Sequence, residues 1–414
     1  MTQPFLADLS MTDVISPHMG VFFIALTISL LSTPLLRRLA IANGIVDRPD
    51  QKRKTHTEPI AYLGGVAILL GWLGGVLFCY VRMPSSGPVQ VPWAIVVGAV
   101  IIAVTGLIDD VWRISPRVKI GGQLLTTAAL VWQSDVGQTL AADLFAAAHI
   151  PPFPFVTQLS YWLGAAIITI FVVGGCNSVN LLDGLDGLAA GVTGIAATGF
   201  LFLAAYAATD SSQLSPTDST RIVLCLALLG TIAGFLPYNF NPANIFMGDA
   251  GSLLLGYLSI STILQFTHVP NRGPLLVIAG LIIFALPITD TTLAIFRRKM
   301  RGQPILSPDN QHLHHLFLRW AQRFRIGKGT SVKVAVISMY LLAAMFAVLG
   351  CTMMVVFTRW RYILAIFFAF FAFIVVTAYK AGHRHALQMR EDAAKAATDL
   401  AAPDSNGSAK QSSE

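Results

Sequence analysis

Long apolar segments recur along almost the whole chain, and they restrict the fold more than any other feature of the sequence. About eleven of them have the roughly 17–25 residues that a helix needs to cross a bilayer. Only 12% of the residues are charged and 55% are hydrophobic, whereas average soluble proteins carry about 25% charged residues. We therefore predict an all-α polytopic membrane protein of about eleven transmembrane helices. The segments lie near residues 19–36, 61–81, 91–108, 119–134, 161–176, 188–207, 222–238, 251–267, 274–296, 334–357 and 362–379.

The positions of lysine and arginine predict how the helices are oriented. With the N-terminus outside, 23 of the 28 Lys and Arg residues fall on the cytoplasmic side, as the positive-inside rule requires. An odd number of segments then places the C-terminus in the cytoplasm. We expect one integral membrane domain over residues 1–383 and a disordered cytoplasmic tail over 384–414. The cytoplasmic loops are expected at residues 37–60, 109–119, 177–187, 238–250 and 297–333.

The net charge of +7 then belongs mainly to the cytoplasmic face. It suits anionic membrane lipids and phosphorylated ligands. A basic composition is the only feature that favours nucleic acid, so we expect no nucleic-acid partner. Residues 135–160, by contrast, carry no Lys or Arg and are expected to form an outside loop.

The stretch NSVNLLDGLDGL, residues 177–188, interrupts two apolar segments with polar side chains at every third position. These side chains are Asn177, Asn180, Asp183 and Asp186. A three-residue step does not follow one face of an α-helix, so either the helix tightens or the glycines break it. Two carboxylates at the edge of a bilayer need a partner, which a divalent metal or a basic segment would supply. The alternative is a polar loop without chemistry.

Further acidic positions stand at other expected cytoplasmic helix ends. Asp109 and Asp110 are adjacent and end the third apolar segment, where a carboxylate opposes the helix dipole, so anchoring explains them poorly. Lys119 begins the next segment, within reach of a phosphate. Asp249 lies between two glycines in YNFNPANIFMGDAGS, as a candidate ligand of a hard metal, and Phe246 precedes it as a ring that stacks on a base. A structural Asp in a glycine-rich turn remains the alternative.

The ninth segment and the loop after it hold the remaining candidates. Asp290 follows Pro287 inside the apolar run, and intramembrane carboxylates are functional candidates by default; local hydrogen bonding with the neighbouring threonines is the alternative. His312, His314 and His315 form the sequence HLHH. A zinc site is disfavoured by their spacing and by the lack of a nearby Cys. Hydrogen bonding or proton transfer beside a phosphate suits them better.

A basic segment, residues 46–65, precedes the second apolar run and contains Lys54. It is either a positive-inside anchor or a contributor to phosphate binding.

Taken together, NSVNLLDGLDGL, the Asp109–Asp110 pair, NPANIFMGDAGS and HLHH resemble the polyprenyl-phosphate N-acetylhexosamine-1-phosphate transferase superfamily. They occur in the family's order, over about residues 37–320. HLHH followed by Leu316-Phe317 is similar to the undecaprenyl-phosphate GlcNAc-1-phosphate transferase (WecA-type) branch. The branch that uses UDP-MurNAc-pentapeptide has a histidine run followed by Phe-Glu instead.

The resemblance implies transfer of N-acetylhexosamine-1-phosphate, most simply GlcNAc-1-phosphate, from a UDP-sugar to undecaprenyl phosphate, with release of UMP. It implies Mg²⁺, with Mn²⁺ able to substitute, and a bacterial inner membrane, where the product starts O-antigen or another envelope polysaccharide. Expected partners are both substrates and membrane lipids, and a homodimer is left open.

The resemblance also implies roles for individual residues. Asp249 is the Mg²⁺ ligand, Asp109 prepares the lipid phosphate and Asp110 supports it. Phe246 stacks on uracil. The remaining expected catalytic or substrate-binding residues are Asp183, Asp186, His314, His315, Lys54, Lys119, Asn177, Asn180, Asp290 and His312.

Two alternatives remain. A transferase for another UDP-N-acetylhexosamine or for UDP-MurNAc-pentapeptide shares the same residues. A secondary transporter with intramembrane carboxylates belongs to another class, but it would carry its charges within the helices of two internal repeats.

Overall fold

The structure is a computed structural model, and it describes residues 9–47, 59–82, 89, 91–133, 135–147, 154–209, 213–304, 312–324 and 327–356. Apart from a two-stranded hairpin, the described elements are helices. The strands are β1 (Val46–Asp47) and β2 (Ile60–Ala61), and they pair antiparallel. Short 3₁₀ helices lie at Ser16–His18 and Gln265–His268.

The α-helices form a bundle. In chain order they are α1 (Met11–Ile15), α2 (Met19–Ala42), α3 (Gly64–Arg82), α4 (Trp93–Trp112), α5 (Pro116–Gln133), α6 (Val136–Ala147), α7 (Pro154–Leu182), α8 (Leu188–Thr209), α9 (Pro216–Asn239), α10 (Gly248–Leu264), α11 (Gly273–Ile283), α12 (Ala285–Met300), α13 (Leu313–Gln322) and α14 (Lys328–Val356).

The all-α membrane architecture expected from the sequence is confirmed. Eight helices of the described chain are long and apolar enough to span a membrane, and α11 with α12, bent by 70° at their junction, would make a ninth. Helix α5 forms where the fourth span was expected but is not among the eight. The segment at 362–379 and the tail lie outside the described residues, so the count of eleven stays a prediction.

The expectation of a loop throughout residues 135–160 is wrong. Helix α6 occupies much of this region, and α7 already begins at Pro154. The helix forms because its apolar side packs inward, with Ala141 fully buried. Its Gly137 lies so close to Gly164 of α7 that a Cβ there would come within 2.8 Å of the Gly164 carbonyl carbon. A twelve-residue helix is too short for a bilayer-length pattern to reveal it.

Helix α10 is the centre of the bundle. Every residue from 250 to 264 is buried, and α3, α4 and α7 all pack against it. Small residues let the backbones approach closely, as is common between membrane helices. A Cβ at Gly106 of α4 would lie 2.4 Å from the Ala250 nitrogen, and one at Gly65 of α3 would lie 2.2 Å from the Gly251 nitrogen. The N-terminus of α10, which carries Asp249, is thereby fixed between two helices.

Candidate active site

A cavity of about 830 Å³ opens where α2, α4, α7 and α9 end and α10 begins. Side chains from four separate motifs of the sequence line it, so these motifs share one end of the bundle. The expected site residues in its wall are Asp109, Asp110, Asn180, Asp183, Asp186, Phe246, Asp249 and His315. The wall also contains Asn43, Asp47, Tyr62, Arg113 and Asn239, none of which was among the expected site residues.

An ion-pair network joins four helices beside this cavity. The ammonium of Lys119, on α5, forms salt bridges with Asp109 Oδ2 at 3.2 Å and with Asp249 Oδ2. It also donates to Asn180 Oδ1 at 3.2 Å, while Asn180 Nδ2 donates to Asp249 Oδ1 at 2.6 Å and to Ser252 Oγ at 2.9 Å. The network therefore holds two carboxylates, on α4 and α10, around one positive charge.

Asp110 has a different environment from its neighbour. Its Oδ1 accepts from the Asp249 amide at 2.7 Å and its Oδ2 from the Ala250 amide at 3.1 Å. The first amides of a helix lack intrahelical partners, so Asp110 caps α10 from another helix. Gly248 has a φ of +66°, and a Cβ there would lie 2.4 Å from Asp110 Oδ2. Only glycine allows the carboxylate this close to the turn.

Asp183 is the carboxyl of the cavity wall whose ionisation its surroundings oppose most. Burial, followed by the charges of Asp249, Asp110 and Asp186, raises the pKa of Asp183 to about 8. The neighbouring carboxylates thus repel a further negative charge on Asp183. A divalent cation in the cavity would relieve this repulsion.

The DGLDG turn, residues 183–187, breaks the helix, as one of the two sequence interpretations expected. Helix α7 ends at Leu182, and Gly187 has a φ of +79°. Asp186 Oδ2 accepts from Asn241 Nδ2 at 2.8 Å and from the Ala243 amide at 3.0 Å. Tyr340 on α14 donates its hydroxyl to the Gly187 carbonyl at 2.6 Å. The turn is thus fastened to both the 240–247 loop and α14.

Phe246 and Tyr62 form an aromatic pair in the cavity wall. Their ring centroids are 6.1 Å apart at an interplanar angle of 55°. Two hydrogen bonds fix the Phe246 backbone: its N–H donates to the Ala61 carbonyl at 2.9 Å, and its carbonyl accepts from the Gly64 N–H at 3.0 Å. Tyr62 is hydrogen-bonded to Asp47, and burial followed by the charge of Asp47 raises the pKa of its phenol.

The histidines of HLHH are held by Asp290. His312 Nδ1 lies 3.0 Å from Asp290 Oδ2, and the Leu313 amide donates to Asp290 Oδ1 at 2.8 Å, which caps α13. The His314 ring is parallel to that of His312, 5.6 Å away, and packs on Gly184. Burial and the neighbouring His315 lower the pKa of His314 to about 3, so its ring is neutral at pH 7.

Only part of this cluster reaches the cavity. His315 is in the wall, whereas His312, His314 and Asp290 stand behind it and are nearly or fully buried. Among the described residues no group of three His, Cys, Asp or Glu side chains is placed to hold a metal. The zinc interpretation therefore gains no support within this part of the chain.

One expected site residue, Asn177, lies away from the cavity. Asn177 is one turn deeper on α7, where its Nδ2 donates to Gln123 Oε1 at 3.0 Å and to the Val173 carbonyl. It connects α7 to α5 and is not part of the cavity wall. Lys54 lies outside the described residues, so its role stays a prediction.

The donor chemistry of the cavity fits Mg²⁺. The wall offers the carboxylates of Asp183 and Asp249 and the amide of Asn180, and Mg²⁺ takes oxygen ligands. It usually binds through one or two carboxylates and fills its other positions with water and substrate phosphates. The wall therefore holds oxygen ligands of the type that Mg²⁺ takes.

Tyr62, Arg113 and Tyr340 are among the residues of this region that escaped the sequence analysis. Tyr62 lies two residues before the Gly64–Gly65 pair. Such a pair allows close backbone approach, so the aromatic residue beside it could have been recognised as a site candidate. Arg113, left-handed with φ of +51° at the end of α4, was counted only as a charge of the cytoplasmic face. Tyr340 lies in an apolar segment, 153 residues from its partner Gly187, and no local signal marks it.

Comparison with known proteins shows the family of this chain. The sequence model of glycosyl transferase family 4 matches residues 92–267, the region that carries all the acidic residues of the cavity wall except Asp47. A Bacillus subtilis protein named "probable undecaprenyl-phosphate N-acetylglucosaminyl 1-phosphate transferase" is 35% identical over 79% of this chain and 82% of its own length. The chain belongs to glycosyl transferase family 4.

Other family-4 relatives match at similar extent. Decaprenyl-phosphate N-acetylglucosaminephosphotransferase of Mycolicibacterium smegmatis is 32% identical over 71% of this chain and 74% of its own length. Phospho-N-acetylmuramoyl-pentapeptide-transferase of Geobacillus kaustophilus is 29% identical over 80% and 94%. This family-4 protein is a multi-pass membrane enzyme that transfers a sugar phosphate, which sets the transporter alternative aside.

Proposed function

We propose that the enzyme transfers GlcNAc-1-phosphate from UDP-GlcNAc to undecaprenyl phosphate and releases UMP. The observation that carries the proposal is the Lys119 network, which places Asp109, Asn180 and Asp249 around one cation beside a cavity at the end of the bundle. Phosphoryl transfer depends on positioning and charge neutralisation more than on covalent protein chemistry. A site built from paired carboxylates, a lysine and amides suits that requirement.

In the proposed reaction a phosphate oxygen of the lipid attacks the β-phosphorus of the UDP-sugar. The bond from that phosphorus to the bridging oxygen breaks, and UMP leaves with both electrons of the bond. The second pKa of a phosphate monoester is about 6, so the nucleophile is largely ionised at pH 7. Asp109 therefore acts more by orienting the lipid phosphate, together with Lys119, than by removing a proton.

Mg²⁺ would be held by Asp249 with support from Asp183 and Asn180, and when bound it neutralises charge on the diphosphate oxygens. Asp110 keeps Asp249 in place through its cap on α10. Asp186 fixes the loop before Phe246, whose ring is the stacking surface for uracil. His315, in the cavity wall, supplies a donor to the diphosphate, and the rings of His312 and His314 behind it hold its position.

GlcNAc is the favoured sugar because two relatives are named for GlcNAc transfer and Leu316-Phe317 follows HLHH. The match to a phospho-N-acetylmuramoyl-pentapeptide-transferase makes UDP-MurNAc-pentapeptide the second donor to test. We further propose that the enzyme lies in the inner membrane of a bacterium, with its site in the cytoplasm. Its product would begin O-antigen or another envelope polysaccharide.

A donor panel tests the proposal. The purified full chain in detergent is incubated with undecaprenyl phosphate, Mg²⁺ and one of UDP-GlcNAc, UDP-GalNAc or UDP-MurNAc-pentapeptide, with no ion gradient. Lipid-linked product and UMP are expected with UDP-GlcNAc. Product formed only with the pentapeptide donor would contradict the sugar assignment, and no product with any donor would contradict the reaction.

Sidedness is tested with single cysteines in the intact bacterial membrane. A cysteine replacing Gln303, which is exposed near the cavity end, is expected to react with an impermeant thiol reagent only from the cytoplasm. One replacing the exposed Ala142 on α6 should react only from outside. The reverse pattern would contradict a cytoplasmic site.

A further inference from the structure

The ammonium of Lys119 lies at a point where three oxygen atoms from three helices converge. They are Asp109 Oδ2 on α4 at 3.2 Å, Asn180 Oδ1 on α7 at 3.2 Å, and Asp249 Oδ2 on α10. The Lys119 side chain is only 15% exposed. Divalent cations such as Mg²⁺ also bind through oxygen ligands of this kind.

Lys119 and a metal ion at Asp249 therefore need the same oxygen atoms. Mg²⁺ binds its ligands at about 2.0–2.1 Å, so a metal on these oxygens would place two positive charges a few ångströms apart. Their repulsion is strong in a partly buried site. Lysine carries its charge on a flexible stem of four carbons, so the ammonium is the partner able to leave.

We propose that Lys119 is an exchangeable counter-ion. Without metal, it neutralises Asp109 and Asp249. When metal and UDP-sugar bind, its ammonium leaves Asp249 and pairs with phosphate oxygens of the substrates. The inference rests on the proposed function for the identity of the substrate, but the exchange itself is a property of the free protein and the metal.

The exchange makes the free site a poor metal site and couples metal to substrate. A metal ion that binds without nucleotide must displace the Lys119 ammonium, which then has no phosphate to pair with. With a diphosphate present, the displaced ammonium gains phosphate oxygens, so each ligand improves binding of the other, as linkage requires. Premature binding of metal without nucleotide is thereby disfavoured.

Metal affinity of the full chain in detergent tests the exchange without turnover. The probe is Mn²⁺, measured by electron paramagnetic resonance with no nucleotide present. We expect Lys119→Met to tighten the Kd for Mn²⁺ about tenfold, a typical size for coupling between sites. An unchanged or weaker Kd would overturn the proposal.

Arg113→Met is the matched control, because Arg113 is a cation in the wall of the same cavity that is not part of the ion-pair network. General electrostatics predicts a similar gain in Mn²⁺ affinity for both variants, and equal gains would overturn the proposal. Exchange predicts a gain of at most about threefold for Arg113→Met, because exposed charges are largely screened by salt.

Lysine labelling of the wild-type chain provides a second test that needs no variant to fold. Amine-reactive reagent and mass spectrometry compare Lys119 with Lys333, which is exposed on α14. Mg²⁺ alone is expected to increase the labelling rate of Lys119 about threefold or more, by the same coupling, and to leave Lys333 unchanged. Adding UDP-GlcNAc should protect Lys119 again.

Labelling of Lys119 that stays constant or falls when Mg²⁺ alone is added would overturn the exchange. Failure of the proposed function looks different: the wild-type chain would then form no lipid-linked product, whatever the metal affinity or the labelling showed.

Discussion

The carboxylate of Asp110 accepts a hydrogen bond of 2.7 Å from the amide of Asp249, and this contact joins the end of α4 to the start of α10. Asp109, one residue earlier, instead forms a salt bridge with Lys119. Two adjacent acids thus have different environments, since Asp110 caps a helix terminus and Asp109 is ion-paired beside the cavity. The side chain of Asp249 depends on both, because Asp110 fixes its backbone and Lys119 links its carboxylate to Asp109.

Loss of the cap is expected to destabilise the enzyme. Removing a helix cap costs about 0.5–2 kcal/mol, so Asp110→Ala should lower the Tm in detergent by about 2–8 °C and also lower kcat. Asp110→Asn keeps one acceptor oxygen and should lose less. Asp109→Asn, which removes no cap, is the matched control. A Tm of Asp110→Ala equal to that of the wild type would show that the cap contributes nothing.

The roles of Asp109 and Asp249 are separable by calorimetry. Asp249→Asn removes charge from the proposed metal ligand, so kcat should fall about 10²–10³-fold, the cost of losing one electrostatic group in an active site. Binding of UDP-GlcNAc should also lose its dependence on Mg²⁺. Asp109→Asn should lower kcat while nucleotide affinity stays within about threefold. Opposite results for the two variants would mean that the assignments are reversed.

The pH dependence of stability tests the crowding of carboxylates around Asp183. Its folded pKa of about 8 lies above its unfolded value of about 3.9. The stability that protonated Asp183 provides is complete below the unfolded pKa and is lost as pH rises through about 8. In EDTA, Asp183→Asn should therefore gain Tm relative to the wild type between pH 5 and pH 8.5.

Mg²⁺ should reduce the advantage of Asp183→Asn, because the cation stabilises the ionised carboxylate of the wild type. Asp135→Asn, at the opposite end of the bundle, is the control and should show no such trend. If the difference between Asp183→Asn and the wild type does not vary with pH, Asp183 is already ionised at neutral pH and the predicted repulsion is absent.

His314 is predicted to act as a neutral ring. Its lowered pKa of about 3 means that the stability of the neutral buried form is complete above the unfolded value of about 6.5 and is lost as pH falls toward 3. We expect His314→Ala to lower kcat/KM about tenfold or more. The Tm of this variant should also fall less than that of the wild type as the pH is lowered.

Elemental analysis accompanies the His314→Ala measurement, and neither this variant nor the wild type should contain stoichiometric zinc. His268→Ala, at the opposite end of the bundle, is the control for removal of a histidine. Zinc that is present in the wild type and lost together with activity in His314→Ala would establish the metal interpretation instead.

Tyr340 is expected to matter although it lies outside the cavity wall. Its hydroxyl donates to Gly187 at 2.6 Å and so holds the turn that carries Asp183 and Asp186. Tyr340→Phe removes one hydrogen bond, worth about 0.5–1.5 kcal/mol, so kcat should fall about 2–10-fold and Tm should fall by about 2–6 °C. Tyr206→Phe on α8 is the control. Equal kcat for Tyr340→Phe and the wild type would show that the turn holds its shape without this contact.

The polar motifs could be recognised from sequence because they interrupt apolar helices, where polar atoms are costly. Asn180, Asp183, Asp186 and Asp249 were found in this way, and their position in one cavity agrees with the expectation that they share a face. The cationic partner expected for the two carboxylates of NSVNLLDGLDGL stays a prediction, because Asp186 accepts from neutral amides and Lys119 contacts Asn180 of this stretch instead.

Contacts between distant segments were not predictable. Lys119 is 130 residues from Asp249 and 61 from Asn180, and Asp110 reaches the α10 amides only because Gly106 lets α4 approach α10. Nothing local distinguishes the capping Asp110 from the ion-paired Asp109. For the same reason Asn177 was expected beside the substrate, whereas its side chain turns to Gln123. A three-residue pattern does not tell which neighbour each helix face meets.

The most direct test of the central claim follows the β-phosphorus of the donor. UDP-GlcNAc labelled with ³²P at the β-phosphate is incubated with undecaprenyl phosphate, Mg²⁺ and the purified wild-type chain. We expect ³²P to enter the lipid phase, with one UMP released for each labelled lipid. Asp249→Asn should reduce both rates together. Release of labelled UDP with unlabelled lipid product would mean that the sugar moves without its phosphate, and it would contradict sugar-phosphate transfer at this site.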